Sequence, residues 1–133
     1  MTRFGIDALT ALRLAEDRVA VAPEHRLVAP SVLRSHAMAH LYESVRRGER
    51  TEKDGLALLE RLAGLKIRLL GDRVSRSTAW QIAARLDWPG IGMAEYLAVA
   101  KLQADRFVTL DPALAAVADE FVPTAAITEL LPR

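Results

Sequence analysis

Short β-prone runs alternate along the whole chain with longer segments whose apolar residues recur at helical spacing, and this alternation restricts the fold more than any other feature. Arg3 to Ile6 is the first apolar run, and it closes on Asp7. From Ala8 to Ala20 the spacing of Leu9, Leu12 and Val19 predicts a helix. Pro23 punctuates, and His25 to Ala29 reads as a second strand. Pro30-Ser31 opens a helix to about Arg47, which Gly48 stops. Thr51, with an acid three residues on at Asp54, caps a helix running to Ala63. Lys66 to Leu70 alternates as a half-buried strand does, and Asp72 to Leu86 is helical again. After the loop at Trp88-Pro89-Gly90 comes a small-residue helix, Met93 to Leu102. The expected strand Arg106 to Leu110 ends at Asp111, followed by a helix from Pro112 to Ala118 and a last short strand, Glu120 to Val122.

Strands separated by helices predict an α/β fold, a three-layer sandwich around a parallel sheet of four to five strands. The 133 residues suffice for one domain with one core. There is no cysteine, which excludes disulfide scaffolding and thiolate metal sites. The opening segment meets an acid before any long apolar run, unlike a signal peptide, and no stretch has the roughly 18 apolar residues of a membrane span. A cytoplasmic protein without a membrane partner is the expectation.

Net charge is only +1, so the whole molecule is no generic polyanion binder. Its distribution is uneven: ten basic residues and five acids lie between Arg46 and Arg85, a surplus of five. Such a basic segment beside an acidic pocket suits a phosphate backbone, although solvated helix faces carry similar charge.

Asp7 and Asp111 hold equivalent places, each ending a strand and preceding a helix. The carboxyl ends of strands border the ligand crevice in open α/β sheets. Two carboxylates gathered there would repel each other unless a hard divalent cation, magnesium or manganese, lay between them. The plainer role is that each Asp caps the helix after it. His36, His40 and Glu43 share one face of the second helix at a spacing compatible with a two-histidine, one-carboxylate site, or with a solvated polar edge. Thr109 stands two residues before Asp111, where it could orient a water or the Asp, or simply serve as a β-branched strand residue.

With these residues in place the chain resembles the PIN domain, particularly the ribonuclease toxins of VapBC toxin–antitoxin pairs. FGIDALTAL is similar to that family's first strand, Asp and helix; LVAPSVLRSHAMAHL to its second strand and the helix bearing a Glu; MAEYLAVAKLQADRFVTLD to its helix–strand pair. The resemblance spans nearly the whole chain. It implies a magnesium- or manganese-dependent endoribonuclease, a cognate antitoxin lying across the active site, and a homodimer. Asp7 matches the first acid of the family's site and Asp111 the last. His36 stands where a Glu belongs and Met93 where an Asp belongs, so both middle acids are missing. Glu95, about 200° around the helix from Met93, should face elsewhere. On this reading Asp7 and Asp111 hold the cation, His36 is a third ligand or base, and Arg34, Arg73 and Arg76 bind RNA phosphates. Two other readings stand beside it. One is an inactive PIN-like module that binds RNA or protein. The other is a helix-turn-helix regulator, in which Ser77 to Leu86 is the first helix.

Overall fold

The computed structural model describes residues 1–133, the whole chain. Its elements run β1 (Thr2–Ile6), α1 (Ala8–Asp17), β2 (His25–Pro30), α2 (Leu33–Arg46), α3 (Glu52–Ala63), β3 (Ile67–Leu70), α4 (Arg73–Arg85), α5 (Gly92–Gln103), β4 (Arg106–Val108) and α6 (Pro112–Val117). Two single-turn 3₁₀ segments, Ala118–Glu120 and Ile127–Leu130, complete the chain. The four strands form one parallel sheet in the order β3-β2-β1-β4, and the α/β sandwich is as expected.

Local sequence sets most of the boundaries. The Thr51 side chain accepts from the Asp54 backbone N–H and starts α3. Asp72 and Ser75 form a reciprocal capping box at the head of α4. Gly48, at φ 77°, takes the left-handed conformation after α2 that an L side chain adopts at a cost. Arg18, at φ 53°, stops α1 at Asp17, three residues short of the Ala20 end that the periodicity predicts.

The two layers differ in build. On one side α1, α2 and α3 pack on one another. On the other, α5 lies directly on β1 and β2, with α4 packed against it. Ala94, Tyr96, Leu97, Ala98, Val99 and Ala100 are all buried, so α5 is enclosed around most of its circumference. Small residues permit this close approach. A Cβ on Gly5 of β1 would meet the Ala100 Cβ at 2.9 Å, nearer than such atoms pack. A burial this complete also removes the helix-turn-helix reading, because the helix after α4 cannot enter a DNA groove.

The expected fifth strand at Glu120–Val122 does not form. The backbone N–H groups of Phe121 and Val122 both donate to the Ala118 carbonyl and so are spent locally. The chain instead touches β4 once, two residues later, through a parallel bridge between Phe107 and Thr124. β4 itself is shorter than the predicted Arg106–Leu110 because Thr109 and Leu110 leave the ladder.

Candidate functional site

Strand order explains where a crevice opens. The chain steps outward from β1 through β2 to β3, then returns to place β4 on the opposite side of β1. Connections diverge to either side of such a switch point and leave a gap at the strands' carboxyl ends. There, at the ends of β1 and β4, Asp7 and Asp111 line one cleft of about 690 Å³. His36, His40 and Glu43 of α2 line it too, as do Trp88 of the α4–α5 loop and Met93 and Tyr96 of α5.

Asp7 is 2% exposed and has no cationic partner. Three features of the fold hold it. Its Oδ1 accepts from the Thr10 backbone N–H at 2.9 Å and caps α1, so the positive end of that helix faces the carboxylate. Its Oδ2 accepts from Thr109 Oγ1 at 2.5 Å, a charge-assisted bond. Thr109 Oγ1 in turn accepts from the Asp111 backbone N–H at 3.0 Å, which ties the two acids together through one hydroxyl. Asp111 Oδ1 accepts from the N–H groups of Ala113 and Leu114 and caps α6. The capping role is therefore real at both positions.

His36 Nδ1 lies 2.8 Å from the Tyr96 hydroxyl. Tyr96 is buried, and that burial, followed by the negative charges of Asp7 and Glu95, holds its phenol well above the usual range. The phenol stays neutral and can donate to His36 Nδ1 or accept from it. His36 Nε2 faces Gly92, where an added Cβ would lie 3.5 Å away. Tyr96 carries no role in the sequence reading. The signal was present: it stands three residues after Met93, one helical turn along the same face.

Several expected placements change. Although His36, His40 and Glu43 all line the cleft, they do not converge: nowhere do three His, Asp or Glu side chains gather closely enough to hold a metal ion. The ring nitrogen of His36 nearest the core is engaged by Tyr96 instead. Arg34, Arg73 and Arg76 do not line this cleft. Arg34 is two residues from His36 on α2, so it points to another side. Arg73 and Arg76 begin α4 beyond β3, two strands away from β1. Arg76 and Glu95 border a separate small cleft beside Pro30 and Leu70, and Glu95 thus faces away from the acids as predicted. Nor does the basic middle segment form one face. Arg47 pairs with Glu49, Arg50 with Glu16 and Arg85 with Glu120, and Arg61 donates to the Ala15 carbonyl.

No protein-family model matches this sequence, and a search of curated proteins finds no match. The donor set must then speak for itself. Magnesium is commonly held by one or two carboxylates, with water and substrate phosphate completing its shell. Asp7 and Asp111 fit that open arrangement, since each Asp7 oxygen accepts only one protein donor and Asp111 Oδ2 accepts none, Oδ1 taking both helix N–H groups. They do not fit a closed cage of protein ligands. No helix of the chain is long and apolar enough to cross a membrane.

Proposed function

We propose that this chain is a PIN-like endoribonuclease of the VapC toxin type, working with a reduced set of acids. The observation that supports the reading best is the pair Asp7 and Asp111, brought from two adjacent strands to one cleft at the switch point and linked through Thr109. Asp7 and Asp111 would hold a magnesium or manganese ion together with a substrate phosphate. Such a cation, when bound, neutralises phosphoryl charge and lowers the pKa of a coordinated water.

The chain's own residues contribute positioning and proton transfer. Thr109 fixes the Asp7 carboxylate so that it meets its ligand without rearrangement. His36 can accept a proton at Nε2 only in the tautomer whose Nδ1–H donates to the Tyr96 oxygen, so the direction of this bond goes with the role of Nε2. His40 and Glu43 stand along the cleft wall, where Glu43 would repel a phosphate that lacked a cation. The choice of RNA over DNA, the antitoxin across the cleft and the homodimer all come from the family resemblance.

A second reading draws on a different observation. Both Asp7 oxygens already accept from protein donors, and no third acid or histidine joins the two Asp residues as a ligand. On that basis the domain binds RNA or protein without cutting. Incubating a mixed RNA pool with the protein separates the two. Manganese-dependent cleavage that disappears in Asp111→Asn supports the nuclease. No cleavage and no cation binding at millimolar manganese supports the binding module.

A further inference from the structure

The opposite edge of the sheet carries an arrangement that the proposed nuclease site does not use. Arg3, Arg26, Lys66 and Arg68 line one cleft of about 470 Å³ beside the amino-terminal halves of β1, β2 and β3. Sheet register puts them there. Arg3 pairs with Arg26, and Leu27 with Ile67, so Lys66 lies beside Arg26 in the preceding row. Residues in one row point to one face, as do residues two apart on a strand, so Arg68 joins the same side. Gly5, two residues after Arg3, packs against Ala100 of α5, which identifies that side as the α5 face. The helix ends at Gln103, and the chain returns to the sheet where the Asp105 N–H donates to the Arg3 carbonyl. Beyond the end of α5 the sheet face is left to the four cations.

None of the four has a counter-charge. No acid lines the cleft, and none of the four belongs to an ion pair. Asp105 is taken by the backbone N–H of Arg3 rather than its guanidinium. Arg26 spends one terminal nitrogen on the carbonyls of Pro23 and His25, which braces it and leaves its other donors free. Four exposed like charges across roughly 10 Å of sheet repel one another, and the carboxyl end of one short helix offsets only a fraction of that. An anionic ligand removes the conflict. Three of the four are arginines, whose planar fork matches phosphate oxygens two at a time. On this face the floor is the buried Val28, and a concave surface does not meet a flat membrane.

We propose that the cleft formed by Arg3, Arg26, Lys66 and Arg68 is a binding site for the phosphate backbone of a single-stranded nucleic acid, separate from the acid-lined cleft; that the strand is RNA rests on the ribonuclease reading of that cleft. The basic cleft binds without sequence preference, because only charge and phosphate geometry are read.

The test is binding of a labelled single-stranded RNA of about ten nucleotides in excess chelator, followed from about 50 to 200 mM salt. For Arg3→Gln/Arg26→Gln/Arg68→Gln the expected result is binding at least about tenfold weaker at the low-salt end. The salt slope of log K should also be shallower by about 2, at roughly 0.7 for each phosphate that is no longer neutralised. A control with the same charge change on exposed helix positions, Arg13→Gln/Arg46→Gln/Lys53→Gln, should bind like the parent. Three results would overturn the proposal. They are unchanged binding and slope in the first variant, equal weakening in the control, and displacement of RNA by inorganic tripolyphosphate at equal phosphate concentration, which would mark a small-anion pocket. Melting curves of both variants establish that they are folded.

Discussion

The two edges of this sheet solve the problem of like charges in opposite ways. At the carboxyl edge, Asp7 is buried and answered by a helix amino terminus and a threonine hydroxyl, and Asp111 caps its own helix. At the amino edge, Arg3, Arg26, Lys66 and Arg68 are exposed and form no ion pair with an acid. The first charge is built into the fold, and the second is only carried by it. Substitutions should therefore cost stability at one edge and not at the other.

The sharpest contrast is expected at Asp7. Asp7→Ala removes the α1 cap with its bond from the Thr10 N–H, worth about 0.5–2 kcal/mol, and strands the Thr109 hydroxyl at about 1–3 kcal/mol. A loss of roughly 2–4 kcal/mol in denaturant unfolding is the expected outcome; a loss below about 0.5 kcal/mol would mean that the acid is not integral to the fold. Asp111→Ala should cost about 1 kcal/mol, since it caps the shorter and more exposed helix α6. Arg26→Gln and Arg68→Gln should each stay within about 0.5 kcal/mol of the parent. A large loss there would break the contrast.

Alkaline titration probes the wall between the edges. Buried Tyr96 is held neutral in the folded chain. Unfolded Tyr96 ionises near pH 10, so the folded state binds one proton more above that pH. Stability should then fall as pH rises past about 10, and Tyr96→Phe should remove that part of the fall. A Tyr96→Phe variant whose stability falls with pH as steeply as the parent's would contradict the burial of Tyr96.

Much of this layout is legible in the sequence because it is local. Asp7, Thr51, Asp72 and Asp111 announce helix starts within three residues of themselves, and the structure places a cap at each. The small residues of α5 foretell its burial. What fails is non-local. The spacing that makes Glu120–Val122 look β-prone says nothing of the Ala118 carbonyl that captures its N–H groups. The surplus of charge from Arg46 to Arg85 conceals Glu16 and Glu120, the partners that lie outside that window. Arg3 and Arg26 stand 23 positions apart, and only the register of β1 with β2 makes them neighbours. Tyr96 and His36 likewise meet only because α5 and α2 flank the same crevice.

The acid-lined cleft as a cation and phosphate site is the central claim, and restoring its missing acids tests it most directly. Met93 and His36 both line the cleft, so His36→Glu/Met93→Asp would add two carboxylates to Asp7, Asp111 and Glu43 there. Without metal these should repel one another and lower the melting temperature. With millimolar manganese the same variant should gain more thermal stability than the parent does, because a ligand that binds only the folded state stabilises by mass action. RNA cleavage should rise with it. A double variant that melts alike with and without manganese would contradict the account, since the added carboxylates beside Asp7 and Asp111 would then not form a cation site.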